Sequence, residues 1–330
     1  MDKDLIKKIV AATGIITGEL VLVQFWGEGE DAHIMHAAAD AVAALGASPV
    51  EIIQSRRVNA QRFLVANEKA FDGKYFQHLS NFDAVIDIFT YRPVVLETLP
   101  DSFRMDLYEK YMSNLFSALS EVKRFSQIRI PTEENAKESN LNFEDYSKRM
   151  LAAMDVDYNA LREVCRAAAD GLQERTEVTL VTGDGHKLNF QLEGRKWYVD
   201  AGDGDIPAGE IYIAPLEDKT NGKVFFDKLF AGCWGEFADI VLTIENGVIT
   251  ASSGNVLAGH LAQLDDARKT ICELGLGKNP NITGLCGFTV LDEKAHGTFH
   301  IGIGNNIMFG GKNSPPFHMD FVGGKGWKIL

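Results

Sequence analysis

The most informative residues that could do chemistry are His318 and Asp320, which are separated by one residue and lie just after the Pro315-Pro316 bend. On a β-strand, residues i and i+2 project from the same face, so an imidazole and a carboxylate would point together out of one short segment. Both groups are common ligands of divalent metal ions. The same pair can also be a plain hydrogen bond, so its meaning depends on the groups that accompany it.

Three earlier segments offer groups that could join this pair. Glu210 opens an apolar stretch after a Pro-x-Gly bend, Glu273 stands among apolar neighbours, and His300 begins a glycine-spaced run. A buried carboxylate is costly unless a cation compensates its charge. With Asp320 and His318, these segments supply three carboxylates and two imidazoles. That set suits a pair of divalent cations sharing a bridging carboxylate and a water molecule.

Three neighbours of these segments are weaker candidates. His296 precedes His300 by four residues and would face the same side of a strand, where it could support the ligands. Asn313, in the loop before His318, is a second candidate for such a supporting role. Cys272 adjoins Glu273, but strand alternation directs its side chain to the opposite face. We therefore expect Cys272 to be a core residue and not a ligand.

The elements that must position these groups differ between the two halves of the chain. An Ala-rich helix is predicted at 31–45, ending at Gly46. Buried strands are predicted at 20–26, 49–53 and 82–89. Strand, helix and strand joined by short turns indicate parallel pairing in a Rossmann-like α/β domain. The acidic turn after the first strand lacks the third glycine of a dinucleotide-binding loop, which disfavours that function.

The second half begins after a charged stretch at 101–150 that reads as helical, with a helix start at Pro131. An amphipathic helix follows, with Asp157 as its predicted N-cap. Strands at 177–182 and 187–192 then flank a Gly-Asp-Gly-His turn, which predicts a hairpin. We expect two domains, an α/β domain at 1–155 and a mixed α+β, strand-rich, metal-binding domain at 156–330.

Length, composition and charge exclude several classes of function. The 330 residues are 45% hydrophobic and 24% charged, as in a globular protein, and the apolar runs are too short to span a bilayer. A net charge of −13 disfavours nucleic acid as a partner. The N-terminal residues lack the pattern of a secretory signal, and the four scattered cysteines suggest neither a zinc ribbon nor disulfides. We therefore expect a cytoplasmic location.

The order of these motifs resembles the M29 family of metallo-aminopeptidases, also called the aminopeptidase T or thermophilic aminopeptidase family. The resemblance covers about residues 175–325, whereas the N-terminal half agrees only in general α/β character. The similar segments are Gly194-Arg-Lys-Trp197, Ile206-Pro-Ala-Gly-Glu210-Ile-Tyr-Ile-Ala-Pro215, Glu273-Leu-Gly-Leu-Gly277, His300-Ile-Gly-Ile-Gly304 and the run from Gly311 through Asn313 and His318 to Asp320.

This resemblance implies a dinuclear site and a reaction. The implied cofactors are two divalent ions (Zn, Co or Mn), and the implied reaction removes N-terminal residues from peptides in a homodimer. Glu273 is the implied bridge between the ions, and either Glu210 or Glu273 would take the proton from the attacking water. The implied metal ligands are Glu210, Glu273, His300, His318 and Asp320.

Two departures from the family leave the activity open. The family has a tyrosine shortly after the motif histidine, whereas the matching position here is Ile307. An isoleucine cannot donate a hydrogen bond to a developing oxyanion, and losing one such donor costs about 10²–10³ in rate. Tyr198 or Tyr212 could supply that hydroxyl instead. The stretch between His300 and His318 is also shorter than in the family.

Two other functions remain open at this point. The same fold resembles that of 2,5-dihydroxypyridine 5,6-dioxygenase, in which two histidines and one carboxylate hold a single Fe(II). The presence of both Glu210 and Glu273 favours the hydrolase over that oxygenase, because hard carboxylate ligands suit a hydrolytic pair. The third reading is a metal-binding homologue that has lost catalysis.

Overall fold

The computed structural model describes residues 1–71, 73–92, 99, 102–324 and 326–330. These residues form two compact units, Met1–Asp155 with Gly202–Pro207, and Val156–Ala201 with Ala208–Leu330. None of the described helices combines the length and the apolar character needed to cross a bilayer.

The elements are numbered in chain order. The helices are α1 (Lys3–Ala12), α2 (His33–Ala44), α3 (Arg56–Val65), α4 (Gly73–Leu79), α5 (Met105–Ser120), α6 (Glu133–Glu138), α7 (Phe143–Met154), α8 (Tyr158–Gln173), α9 (Asn255–Leu261), α10 (Asp266–Lys269) and α11 (Thr289–Asp292). The strands are β1 (Leu20–Trp26), β2 (Ser48–Ile53), β3 (Ala84–Phe89), β4 (Arg124–Arg129), β5 (Glu177–Thr182), β6 (His186–Gln191), β7 (Tyr198–Asp200), β8 (Asp205–Ile206), β9 (Glu210–Ile213), β10 (Asn221–Phe230), β11 (Glu236–Glu245), β12 (Val248–Ser252), β13 (Ile271–Gly277), β14 (Phe299–Gly304), β15 (His318–Gly323) and β16 (Lys328–Ile329).

The first unit is built on a parallel sheet with the strand order β2-β1-β3-β4-β8. Strand β1 pairs in parallel with β2 and β3, and both β1 after its first residue and the whole of β3 are buried. Continuous apolar strands of this kind are typical of a parallel sheet covered on both faces. The prediction of a Rossmann-like α/β domain is therefore confirmed.

One strand of this sheet was missed, because the stretch 101–150 was expected to be helical. Strand β4 lies within it, and pairs in parallel with β3 and with the two-residue strand β8. Its sequence, Arg-Phe-Ser-Gln-Ile-Arg, has no apolar run, and only Ser126 and Ile128 are buried. A short polar strand near the edge of a sheet carries little hydrophobic signal.

The second unit contains an eleven-stranded sheet, and every pairing described in it is antiparallel. The hairpin predicted at 177–192 is confirmed as β5 and β6. The Asp157 side chain caps α8 by accepting hydrogen bonds from the amides of Asn159 and Ala160, as predicted. The expected mixed, strand-rich α+β character is also confirmed. Its central strands follow the order β15-β14-β13-β9.

Candidate metal centre

Four neighbouring strands of the second unit bring the five predicted ligands together. Glu273 on β13 lies opposite Gly302 on β14, which in turn lies opposite Asp320 on β15. On the other side of β13, Glu210 on β9 lies opposite Gly277. Directly opposed residues of an antiparallel sheet share a face, so these carboxylates project to the same side. The strand alternation seen in the sequence therefore produces a common site.

Glycines make room for the ligand side chains on this face. A Cβ atom at Gly275 would lie 2.0 Å from the Cε1 and Nε2 atoms of His300. A Cβ atom at Gly302 would lie 2.7 Å from the Cβ of Glu273 and 3.0 Å from the Oδ1 of Asp320. The alternate residues of these two strands point the other way and are buried: Leu274, Leu276, Ile301 and Ile303. The Leu-Gly-Leu-Gly and Ile-Gly-Ile-Gly patterns thus build an apolar face and a ligand face.

Glu210 is positioned by the turn that precedes it. Gly209 has a φ of +126°, which L side chains rarely adopt, and a Cβ there would lie 2.7 Å from the Cβ of Asn279. The Asn279 Nδ2 donates to the carbonyl of Ala208 at 2.7 Å. The turn delivers Glu210 directly onto β9, where only 7% of the residue is exposed. Glu210 is therefore a buried carboxylate and not an exposed strand end.

The tightest group of ligands is formed by Glu273, His318 and Asp320. One ligand atom from each of these residues lies within 4.8 Å of the others. The His318 Nε2 is 3.2 Å from the Asp320 Oδ1 and 3.5 Å from the Glu273 Oε2. One nitrogen and two carboxylate oxygens converging in this way suit a divalent cation.

His300 extends this group toward Glu210. Its Nε2 is 3.2 Å from the Glu273 Oε1 and 3.6 Å from the Glu210 Oε2. The two oxygens of Glu273 therefore face two different imidazoles. All five predicted ligands lie in one connected cluster, with Glu273 at its middle.

The His318 ring is oriented by the loop that precedes its strand. Its Nδ1 lies 2.9 Å from the carbonyl oxygen of Asn305, which can only accept a hydrogen bond. In a neutral ring this contact would keep the proton on Nδ1, which would leave the lone pair of Nε2 free for a metal ion between Asp320 and Glu273. This backbone contact is the usual means of fixing a ligating histidine.

The electrostatics of the cluster attract positive charge. Burial lowers the pKa of His300, but the hydrogen bond to Glu273 and the charge of Glu210 outweigh burial and raise this pKa to about 10. Burial likewise lowers the pKa of His318, and Asp320 reverses the shift and raises that pKa. For Glu273, burial dominates and raises the pKa of its carboxyl group. A metal ion would compete with protons for this negative cluster.

The unsatisfied polar atoms of the cluster fit a bound cation. Glu210 Oε2 and Asp320 Oδ1 are buried and have no hydrogen-bond partner in the described structure. Buried polar atoms normally have a partner, so such oxygens need an explanation. A divalent ion held by oxygens and imidazole nitrogens supplies it, and these donors suit zinc, cobalt, manganese or iron.

One positively charged side chain beside this cluster, that of Lys294, was not predicted from the sequence. The Lys294 side chain is fully buried, with its Nζ 2.9 Å from the Glu210 Oε1 and 2.6 Å from the Glu293 Oε1. The Asp200 Oδ2 is 3.9 Å from the same Nζ. In sequence, Asp292-Glu293-Lys294 looks like the polar surface of a short helix, and only the fold shows that it turns inward.

The structure places the three weaker candidates in three different settings. His296 is exposed and precedes β14, which begins at Phe299, so strand alternation does not relate it to His300. Asn313 donates from its Nδ2 to the carbonyls of Ala267 and Gly304, both at 2.7 Å, and so braces the loop before His318.

Cys272 does not point away from the site as strand alternation suggested. The pairing of β13 and β14 shifts between Ile271 and Glu273, which is a β-bulge, and bulges redirect side chains. The Cys272 Sγ lies 3.5 Å from the His318 Nδ1. The residue is nevertheless fully buried, and burial raises the pKa of its thiol to about 12. It is a core residue packed behind the His318 ring.

Tyr212 could supply the hydroxyl that the family tyrosine would provide at the position of Ile307. Ile307 is 50% exposed and begins a short 3₁₀ turn. Tyr212, by contrast, is two residues after Glu210 on β9 and lies opposite Gly275, on the ligand face. Its ring stacks on that of Tyr198 with 5.4 Å between centroids. Burial, followed by the charges of Glu210 and Asp200, raises the pKa of Tyr212, so its hydroxyl stays protonated.

Two solved structures share this fold over nearly the whole chain. Wild-type AmpT from Thermus thermophilus matches with a TM-score of 0.70 and 18% identity, covering 99% of this chain and 94% of its own. The 2,5-dihydroxypyridine dioxygenase from Pseudomonas putida KT2440 matches with a TM-score of 0.64 and 15% identity, covering 99% and 92%. At such identities these likenesses show the fold alone.

The comparison with protein families is more specific. No curated protein matches the chain. The model of the thermophilic metalloprotease (M29) family matches residues 9–320, which is most of the 330-residue chain and includes both units and all five candidate ligands. This protein therefore belongs to the thermophilic metalloprotease (M29) family.

Proposed function

We propose that this protein is a metal-dependent aminopeptidase that removes N-terminal residues from peptides. The observation that carries the proposal is the convergence of Glu273, His300, His318 and Asp320 on one face of three adjacent strands. Family membership supports hydrolysis of peptides. A divalent ion bound there, with Zn, Co or Mn proposed, would lower the pKa of a water molecule and polarise the substrate carbonyl.

The charge of the pocket supports attack at the amino end of a peptide. Five buried or nearly buried carboxylates lie in or beside the cluster, and among the described side chains the ammonium of Lys294 lies against them. This excess of negative charge attracts the protonated α-amine of a peptide and repels its terminal carboxylate. The five carboxylates are Asp200, Glu210, Glu273, Glu293 and Asp320.

Three residues near the proposed metal ion are candidates for the other catalytic roles. Glu273 is proposed to accept the proton of the attacking water, because it lies at the middle of the cluster with its two oxygens facing His300 and His318. Glu210 is the other carboxylate that the sequence offered for this role, but its Oε1 is engaged by Lys294. Tyr212 is placed to donate to the oxygen of the reacting carbonyl.

The dioxygenase remains the second candidate, because its fold matches over 99% of this chain. A single Fe(II) held by His300, His318 and Asp320 would be the two-histidine, one-carboxylate set of that chemistry. Glu273 argues against this set, since one of its oxygens faces each of the two imidazoles. Glu273 would crowd the open positions that oxygen requires.

One experiment separates the candidates. A short peptide with a free N-terminus and its N-acetylated twin are incubated with protein loaded with Zn, Co or Mn, and the products are identified by mass spectrometry. The proposal expects loss of single residues from the free peptide only. Oxygen consumption with 2,5-dihydroxypyridine by the Fe(II)-loaded protein would instead establish the dioxygenase. Metal binding with neither reaction would favour a non-catalytic homologue.

We further propose that the protein is a homodimer in the cytoplasm. The resemblance to the family supports the dimer, and light scattering is expected to give twice the chain mass of 36.4 kDa. None of the four cysteines forms a disulfide bond in the structure, which supports a reducing compartment. A mass of one chain at micromolar concentration would contradict the dimer.

A further inference from the structure

Lys294 is the most unusual charged residue of the second unit. Its side chain is 0% exposed, and lysines are almost never fully buried unless they are paired. It follows helix α11 and immediately succeeds Glu293, so the chain itself fixes its position. Its Nζ contacts Glu210 and Glu293, with Asp200 slightly further away. An ammonium group has three N–H donors, which suits an environment of three carboxylates.

Glu210 divides its two oxygens between Lys294 and the metal cluster. Its Oε1 lies 2.9 Å from the Lys294 Nζ, while its Oε2 lies 3.6 Å from the His300 Nε2. In a dinuclear centre, Glu210 would be needed as a ligand of one of the two ions. Here its Oε1 is already engaged by the fixed ammonium of Lys294, which also lies near Glu293 and Asp200.

The remaining ligands are sufficient for one ion. Within the part of the chain that the structure describes, only Glu273, His318 and Asp320 form a group of three metal-binding side chains in mutual reach. Two carboxylates balance the charge of one divalent cation, and the imidazoles of His318 and His300 add neutral donors. A second divalent ion near Glu210 would meet the ammonium of Lys294 at close range, where like charges repel strongly.

We propose that Lys294 takes the place of a second metal ion, so that the protein binds one divalent cation per chain. The inference concerns the same site as the proposed function and rests on it for the identity of the centre. Lys294 supplies a positive charge next to Glu210 that no chelator removes and no metal exchange alters. The positive charge of the centre would then come from one metal ion and from the ammonium group of Lys294.

The test counts bound metal and does not depend on turnover. Protein freed of metal by chelation is equilibrated with Mn²⁺ or Zn²⁺ by dialysis, and bound metal is measured by mass spectrometry. We expect one equivalent for the wild type and two for Lys294→Met, which frees Glu210 and Glu293. Lys278→Met is the matched control, since Lys278 is a partly buried lysine of the same unit, and it is expected to bind one. A count that stays at one in Lys294→Met overturns the role of Lys294.

A second variant decides the question even if Lys294→Met fails to fold. In the one-ion account Glu210→Gln still binds one equivalent, because Glu210 serves Lys294. Two equivalents in the wild type, falling to one in Glu210→Gln, overturn the proposal, and so does complete loss of metal in Glu210→Gln. The Mn²⁺ spectrum of the wild type by electron paramagnetic resonance is expected to be that of an isolated ion, and the spectrum of a coupled pair contradicts it. One ion without peptidase activity would refute the proposed function and leave this inference standing.

Discussion

At the scale of single residues, Glu273 connects the centre, because its two oxygens face the imidazoles of His300 and His318. The neighbouring contacts are assigned by the backbone and by charge. The carbonyl of Asn305 orients His318, and Lys294 engages one oxygen of Glu210. None of these contacts identifies the group that would donate a hydrogen bond to a developing oxyanion. Tyr212 is our candidate for that donor, because it lies on the ligand face of β9.

Removing the Tyr212 hydroxyl tests this role. We expect Tyr212→Phe to lower kcat for peptide hydrolysis about 10²–10³-fold with little change in KM, because the hydroxyl acts on the transition state. Tyr198→Phe is the matched control, since its ring stacks on Tyr212. Steady-state kinetics on one unblocked peptide would measure both variants. A larger loss in Tyr198→Phe than in Tyr212→Phe would contradict the assignment.

The sequence predicted five candidate ligands, which the structure brings together, but it did not predict their surroundings. Glu210, Glu273, His300, His318 and Asp320 could be found because each stands in a strand-like, glycine-spaced segment whose alternation defines a face. Lys294 could not, because a charged triplet beside a short helix is normally solvated. The direction of the Cys272 side chain was predicted wrongly, because a β-bulge breaks the strand alternation between Ile271 and Glu273. The sequence does not reveal this bulge.

At the scale of the elements, the adjacency of β13, β14 and β15 builds the site. The sequence predicted parallel strands in the first unit and an antiparallel hairpin in the second. Buried apolar runs and a short hairpin turn are local signals, so both can be recognised without knowledge of the fold. The order of strands in the eleven-stranded sheet was not, because pairing between distant segments is set by packing. The glycines of β13 and β14 are the local trace of that packing, since they face ligands from neighbouring strands.

Gly275 tests whether these glycines are there for the ligands. A methyl group at this position would meet the His300 ring at 2.0 Å, so the imidazole must move. We expect Gly275→Ala to weaken metal binding at least about tenfold, as displacing a supporting group does, while the circular dichroism spectrum is retained. Titration calorimetry with Zn²⁺ would measure the affinity.

The control for this variant is Gly171→Ala in helix α8, where an added Cβ would meet nothing within 4 Å. It should leave metal affinity unchanged and stabilise the helix by about 0.5–1 kcal/mol. Equal affinity in Gly275→Ala and the wild type would show that the glycine is not required by the ligands.

At the scale of the whole molecule, the first unit contains a buried carboxyl group of its own. Asp87 lies in the middle of β3, where its Oδ1 accepts from the Gln24 Nε2 at 2.9 Å and the Trp26 Nε1 at 2.8 Å. Burial raises the pKa of Asp87 to about 7, and the hydrogen bonds only partly offset this effect. Asp87 therefore makes its own contribution to the pH dependence of the protein's stability.

The sign of this dependence follows from linkage. The unfolded carboxyl ionises near 3.8, whereas the folded one keeps its proton up to about pH 7. The unfolded state therefore binds fewer protons in this interval, and the free energy of unfolding falls as pH rises, by at most about 1.4 kcal/mol per pH unit. Asp87→Asn keeps the acceptor oxygen but cannot ionise, so we expect it to lose this dependence and to be more stable than the wild type at pH 8.

Urea unfolding at pH 5 and pH 8 measures this effect, with Asp40→Asn on the exposed face of α2 as the control. The control should keep the pH dependence of the wild type. The same slope in Asp87→Asn and the wild type would show that Asp87 is ionised in the folded protein.

The central claim is that β13, β14 and β15 hold a divalent cation, and metal content tests it most directly. Purified wild type, Asp320→Ala and Asp227→Ala are dialysed against the same Zn²⁺ buffer, and bound metal is counted. Asp227 is the control, an exposed carboxylate on β10 of the same sheet. We expect bound metal in the wild type and in Asp227→Ala, and almost none in Asp320→Ala. Full metal content in Asp320→Ala would contradict the account.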